Sequence, residues 1–308
     1  MKSAAIKSTV LLSLMVWGAA AFSEVPSKAS NVGGITNTRH NLTQSYLGGN
    51  AGFMSLSRND YGEVCVYCHT PHGANSNVAL PLWNRTIKST TYATYDTLGT
   101  STLTQTVNQP GRNSLSCLSC HDGTVAIDSI INMPGSGKYQ ASQATSQSDS
   151  FLNAWAGGPG GSFYGGHGTL QVSDSAFNEY GQCQSCHSIS GPQFNPSGTP
   201  AFDAFYIGTD LTNDHPVGIH FPAAGPGVDF NQPNRSTGSI SFFDTDGNGR
   251  ADPKNVRLYD SGNGYSVECA SCHDPHGVPS GGTGSVNNPT FLRVSNTGSG
   301  MCLTCHVK

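Results

Sequence analysis

Apolar residues along this chain gather in one long run and are scattered elsewhere. The run is Ser8 to Ala20, behind Lys2 and Lys7. It is too short for a comfortable membrane span. Small residues follow it, as Ala19-Ala20-Ala21 and Ala21-Phe22-Ser23. The pattern predicts a secretory signal peptide over residues 1–23, cut after Ala21 or Ser23, ahead of a single domain over residues 24–308. No later segment is apolar enough for long enough to span a bilayer. Two short runs, Ser239–Phe243 and Val256–Tyr259, flank a polar turn and predict a β-hairpin. Residues 134–166 are rich in Gly, Ser and Gln and predict a long loop. The glycine run inside it, Gly157-Gly158-Pro159-Gly160-Gly161, lacks the Lys-Ser/Thr that a phosphate loop requires.

Composition sharpens this picture. Only 36% of the 308 residues are hydrophobic and 11% are charged, with 38 Gly and 17 Pro. So little charge argues against a disordered tail. So few apolar residues argue against a large aliphatic core, and something besides Leu, Ile and Val must supply buried surface. The net charge is −4 and no basic tract occurs, which excludes a nucleic-acid partner.

Ten cysteines in an exported chain would ordinarily mean disulfides. Their spacing points elsewhere. Cys65-Val-Tyr-Cys68-His69, Cys117-Leu-Ser-Cys120-His121, Cys183-Gln-Ser-Cys186-His187, Cys269-Ala-Ser-Cys272-His273 and Cys302-Leu-Thr-Cys305-His306 use every cysteine, and each pair is followed at once by His. This is the c-type haem attachment signature. Two thiols add across the vinyl groups of one haem edge, and the adjacent His ligates iron from one face. Structural zinc takes two Cys-x-x-Cys pairs per ion, and five pairs cannot be matched off. Redox-active Cys-x-x-Cys disulfides, five times in one exported chain, are the weaker rival. Five c-type haems are therefore expected, their apolar plates standing in for the missing core. The expected fold class is a loop-rich multihaem cytochrome c. It has little regular secondary structure, short helices at the Cys-x-x-Cys-His sites, a small β-hairpin and the haem chain as core.

His69, His121, His187, His273 and His306 are the proximal ligands on this reading. Methionine is scarce after the signal, leaving Met54, Met133 and Met301, so a second His is expected at every iron. Met/His ligation would raise the potential; two imidazoles predict low potentials. A six-coordinate iron has no vacant position, which predicts electron transfer rather than catalysis. Cys-x-x-Cys-Lys, which often marks an open catalytic iron, is absent. The expected distal ligands are His40, His72, His167, His215 and His276, with His220 spare. His72 and His276 share a context, Cys-His-Thr-Pro-His-Gly and Cys-His-Asp-Pro-His-Gly. A His three residues beyond a proximal His does not readily reach the far face of the same haem, so each is expected on a neighbouring iron. His215 is expected to be oriented by Asp214 or Asn213, with Pro216 stiffening the chain after it. His167 lies in Gly-Gly-His-Gly, which lets the backbone approach a haem closely. Trp83, Trp155, Phe242 and Phe243 are expected to pack against haems.

One polar turn offers other chemistry. Asp244, Asp246, Asn248, the Arg250 carbonyl and Asp252 match the start of a calcium loop, with Gly249 at its sixth position. Asn255 stands where a bidentate Glu is expected. Calcium and a plain polar turn both remain open at this point.

Several blocks share a resemblance: Asn37-Thr-Arg-His40-Asn-Leu42, Val64 to Gly73, Leu82-Trp83-Asn84, Ser116 to Thr124, and Asn213-Asp-His215-Pro-Val217. Together they resemble the extracellular multihaem cytochrome filaments of metal-reducing bacteria, of the outer-membrane cytochrome E type. The resemblance spans most of residues 32–308 through short motifs. That family's tetrahaem pattern is matched by the sites at Cys65, Cys117, Cys269 and Cys302. The Cys183 site is then extra, with His167 as its natural distal ligand. The resemblance implies subunits joined head to tail, with a distal His of one ligating a haem of the next. A heterologous contact that does not close gives an open filament. His40 is the expected bridging ligand. Other redox proteins or extracellular electron acceptors are the remaining expected partners. The expected location is extracellular, at the cell surface, with a monomeric periplasmic carrier as the alternative.

Overall fold

The computed structural model describes residues 34–43, 58–59, 61–132, 150, 167–170, 183–185, 187–188, 202–277 and 290–307. The signal segment 1–23, Cys186, Trp155 and all of 134–166 except Ser150 lie outside the described residues.

Three α-helices among the described residues carry cysteines. Helix α1 is Arg112–His121, α2 is Cys269–Cys272 and α3 is Gly300–Cys305. The Cys183 site forms a single 3-10 turn, Cys183–Ser185. The first site is a turn as well, with His69 N–H donating to the Cys65 carbonyl at 2.8 Å. Chain polarity explains these short elements: each motif closes one turn, and isolated short helices need tertiary support to persist. That support is unusual at α1. Its N-cap, Gly111, has no side chain to offer, and the Glu268 carboxylate accepts the Gly111 N–H at 3.1 Å and the Ser114 hydroxyl instead. Glu268 is also the N-cap of α2, in a capping box with Ser271. One buried carboxylate thus satisfies orphan donors at the starts of two helices.

The hairpin predicted from the two apolar runs is real and belongs to something larger. Strands β1 (Ile219–His220), β2 (Arg235–Thr237), β3 (Ile240–Phe242), β4 (Arg257–Asp260) and β5 (Tyr265–Val267) form one antiparallel sheet in the order β1-β5-β4-β3-β2. The β3–β4 pair sets Ile240 opposite Tyr259 and Phe242 opposite Arg257. The other strands have two or three residues each, too short for an alternation to register in sequence. Gly218 leads into β1 at φ +72°, where a Cβ would lie 2.4 Å from the Asn108 carbonyl oxygen. Only glycine allows that approach.

Two kinds of interior result. Around the sheet, Phe242, Phe243, Val256, Leu258 and Tyr259 are buried. Phe243 meets Phe221 edge-on at 6.3 Å, Phe221 meets Phe230 at 5.6 Å, and Phe230 meets the His306 ring at 4.8 Å. Around residues 61–132 the apolar clusters are small: Tyr61, Val66, Tyr67 and Ile130 in one, Tyr92 and Leu118 with Leu211 in another. Polar groups fill the rest. Arg85 is fully buried and donates to the Ile127, Ser119 and Ala126 carbonyls at 2.8–2.9 Å.

Candidate functional site

Four of the motifs share one local turn, and the fifth, at Cys117, lies in helix α1. The histidine N–H donates to the carbonyl of the first cysteine, at 2.8 Å for His69, 3.0 Å for His187, 3.1 Å for His273 and 2.8 Å for His306. This turn places two thiols and an imidazole three and four residues apart on one side of the chain. None of the nine described cysteines is in a disulfide. Burial pushes the Cys68 and Cys272 thiols up to about 12, opposite to the depressed thiols of redox dithiols.

Seven of the histidines are fixed at Nδ1. His69 donates Nδ1–H to the Pro81 carbonyl at 2.8 Å, His121 to Phe205 at 2.6 Å and His273 to Thr290 at 2.5 Å. Among the expected distal residues, His40 donates to the Pro275 carbonyl at 3.1 Å and His215 to Pro216 at 3.0 Å. His276 meets Asp274 at 2.9 Å and His167 meets Asp128 at 2.8 Å. A carbonyl or carboxylate at Nδ1 fixes the proton there and leaves Nε2 with a free lone pair, the arrangement of metal-ligating histidines. Burial lowers His40 to about 4 and also lowers His69, His121 and His273. These rings are neutral at neutral pH, as a ligand must be.

Two pairs of rings come together. His69 and His276 have ring centres 6.1 Å apart with planes at 12°. His40 and His121 are also 6.1 Å apart, with planes at 78°. Two metal–imidazole bonds of about 2 Å each, plus half of each ring, span about 6 Å. Both pairs therefore fit one iron between two imidazoles. In each pair one partner is a proximal ring and the other an expected distal ring. Beside the first pair, Trp83 stands edge-on to His69 at 6.0 Å, and its indole N–H is buried without an acceptor. A buried orphan donor is costly, and a cofactor bearing carboxylates would relieve it.

The cysteine pairs follow one another in space. Cys68 lies within electrostatic reach of Cys120, Cys117 of Cys269, and Cys272 of Cys305 and Cys302. The succession of sites is thus Cys65, Cys117, Cys269, Cys302, the four assigned to the tetrahaem pattern.

Other residues sit differently from expectation. His40 is half-buried in its own chain, facing His121 and stacked on Phe291 at 4.4 Å; its segment is tied down by Asn41 donating to Thr36 at 2.9 Å. That gives His40 a facing ring within its own chain. His215 is exposed and is oriented by the Pro216 carbonyl, not by Asp214 or Asn213. His72 is exposed and its ring makes no hydrogen bond among the described residues. Its backbone is nonetheless fixed, the carbonyl accepting from Thr70 at 2.9 Å and Asn132 at 2.7 Å. His167 is buried, and His220 lies in β1. His187 stacks on Phe202 at 4.0 Å.

The Asp244 turn closes on itself. Asp244 accepts from the Gly247 and Gly249 N–H groups at 2.9 Å, Asn248 donates to Asp252 at 2.6 Å, and Lys254 pairs with Asp246 at 2.8 Å. The Arg250 carbonyl accepts the Asp252 N–H at 2.9 Å, and buried Asn255 accepts the same N–H at 2.8 Å. Asn255 thus has a clamping role where a ligand was sought. No group of three His, Cys, Asp or Glu that could hold a metal ion occurs among the described residues. These bonds support the polar turn.

The two Cys-His-x-Pro-His-Gly segments prove to be one module built twice. After the first, Thr70 N–H donates to the Leu82 carbonyl, Asn84 N–H donates to Cys68, and His69 bridges to Trp83. After the second, Asp274 N–H donates to Phe291, Arg293 N–H donates to Cys272, and His273 bridges to Leu292. Leu82 and Phe291 both adopt positive φ, at 52° and 63°. This strained residue follows directly the carbonyl that fixes the proximal ring, a strain tolerated where geometry demands it. The side chains correspond too: Asn84 donates to the Val66 carbonyl at 2.7 Å, and Arg293 to Ala270 at 2.9 Å. The returning strands differ in sequence and in distance along the chain, so only the first six residues of each module were readable as a repeat.

No protein-family model matches the chain, and no characterised protein matches it in sequence. Among the described residues, no helix is long and apolar enough to cross a membrane.

Proposed function

We propose that this chain is an exported electron-transfer protein holding five c-type haems, each iron between two imidazoles. One-electron exchange at iron is the chemistry that the haems supply. The chain's own residues attach, ligate and space them. Cysteine pairs provide covalent anchorage, and the five following histidines provide the proximal nitrogens. His276 and His40 provide distal nitrogens to the sites of His69 and His121. His167 and His215 are poised for the same role by their fixed Nδ1 protons. The observation that carries the reading is the two pairs of imidazoles with ring centres 6.1 Å apart, each ring already oriented at Nδ1. The spatial succession of cysteine pairs supports passage of electrons along the molecule. Mass spectrometry of the mature protein should find five haems, and electron paramagnetic resonance should find low-spin ferric iron; fewer haems, or mostly high-spin iron, would end the proposal.

The finer reading is a head-to-tail filament at the cell surface. His276 stands opposite a proximal ring of another site in its own chain. His72 holds the matching place in the first module, yet its exposed ring meets no proximal ring among the described residues. It therefore takes the bridging role first expected of His40, directed at a haem of the adjoining subunit. His72→Ala should leave five haems attached and abolish filaments in negative-stain images. Filaments that persist in that variant exclude His72 as the bridge, and a wild-type protein that stays monomeric by size exclusion favours a periplasmic carrier.

A further inference from the structure

The duplicated module is not duplicated at one point. Where the first has Thr70 and Asn84, the second has Asp274 and Arg293. Asp274 Oδ1 meets His276 Nδ1 at 2.9 Å and accepts the His276 backbone N–H at 3.1 Å. Its other oxygen accepts from Arg293 Nη1 at 3.1 Å. Arg293 is 3% exposed and is itself anchored on the Ala270 and Pro253 carbonyls at 2.9 and 2.7 Å. Thr70 makes no such contact, because its hydroxyl donates to the His72 carbonyl. The four rings that face one another also differ in backing. His69, His121 and His40 donate Nδ1–H to neutral carbonyls, and His276 alone of the four donates to a carboxylate.

A carboxylate at Nδ1 draws the ring proton toward itself and makes Nε2 a stronger donor. Such a ligand favours the ferric over the ferrous iron, which lowers the reduction potential. The proton stays shared between His276 and Asp274 in both oxidation states, so the electron is the only charge exchanged with the redox partner. Arg293 prevents Asp274 from turning away and leaves one of its oxygens for His276.

We propose that Asp274, held by Arg293, is a positioning residue that sets the potential of the iron between His69 and His276 below that of the iron between His121 and His40. The Cys65 end of the succession would then sit energetically above its neighbour, giving electrons a downhill first step into the molecule. This rests on the proposed haem function and adds a residue that no attachment motif contains.

The test is a spectroscopic redox titration of the purified five-haem protein and its Asp274→Asn variant. Asparagine keeps the shape and removes the charge. One of five midpoints should rise, by about tenfold in the one-electron equilibrium, or about 59 mV, with haem count and low-spin character unchanged. Five unaltered midpoints in a fully low-spin variant would overturn the proposal. Asp274→Glu, which restores the charge, should return that midpoint toward the wild-type value; a midpoint left at the Asn level would also count against it. Where neither variant accumulates, the wild-type ferric protein suffices. Its near-infrared magnetic circular dichroism should show a charge-transfer band displaced toward that of an imidazolate ligand, and no displaced band at any haem would overturn it. A preparation lacking haem by mass would instead bring down the function proposed above, and the two failures are thereby distinguished.

Discussion

Residues 61–132 and the sheet of residues 219–267 are held by different means. The sheet buries Phe242, Val256, Leu258 and Tyr259 at 6% exposure or less and pairs its five strands in one register. It makes its own interior. The motif-bearing stretch contains the first two proposed attachment sites, one α-helix, α1, and one 3-10 turn, Tyr95–Thr97. Its apolar clusters have three or four buried residues each, and Arg85, Asn84, Asp128 and Ser119 occupy the space between them. Apolar area buried from water is the main source of folding stability. One part of the molecule therefore carries much of its own, and the other, on the proposed function, depends on what the cysteines hold.

The largest expected effect removes that support. Chain produced without haem attachment should lose amide protection throughout residues 61–132 while β3, β4 and β5 keep theirs. Hydrogen exchange with mass analysis reads both regions in one experiment. Equal protection in both would show that the motif region folds on side chains alone and would erase the contrast.

The contrast also explains what could be read without a structure. Cysteine spacing pointed to the proposed attachment sites because covalent chemistry admits one spacing. The β3–β4 hairpin was visible because each run is long enough to show apolar residues beside a polar turn. What stayed hidden is held by backbone atoms, which sequence does not display. The carbonyls of Pro81, Phe205 and Thr290 orient three proximal rings, and any residue type presents a carbonyl. Proximity across the chain was equally hidden. Nothing around His40 indicated that it would face His121, since the contact joins residues 81 positions apart. Asp274 was in view as part of Cys-His-Asp-Pro-His-Gly, but its meaning depends on Arg293, 19 residues on. Asp128 behind His167 and Glu268 behind two helix starts are lone acidic residues with no periodic or spacing signal.

A smaller effect probes the polar interior directly. Arg85 fills four hydrogen bonds, three to carbonyls and one at 3.2 Å to the Ser119 hydroxyl. Arg85→Met retains much of the volume and leaves those carbonyls buried without donors. Each such group costs roughly 1–3 kcal/mol, and partial relaxation should keep the total near about 3 kcal/mol. Denaturant titration of the five-haem protein should show that loss, and exchange should locate it in residues 84–130 and not in the sheet. A change below about 0.5 kcal/mol would mean that the guanidinium is dispensable and that haem contacts alone carry this region.

The smallest effect joins the two regions, because Glu268 lies at the end of the sheet and caps both α1 and α2. Burial is the main influence and raises its carboxyl to about 7; the Ser114 hydroxyl and Gly111 N–H oppose that rise. The folded pKa is above the ordinary 4.5, so the folded state binds the proton more tightly than the unfolded one. Its contribution is complete below about pH 4.5 and is lost as pH rises through about 7. Glu268→Gln imitates the protonated acid at every pH. The difference in melting temperature between wild type and variant should therefore be small near pH 5 and shift in favour of the variant toward pH 8. A difference that stays flat across this window would place the carboxylate in water, and would mean that two helix starts hold its charge at no cost to the fold.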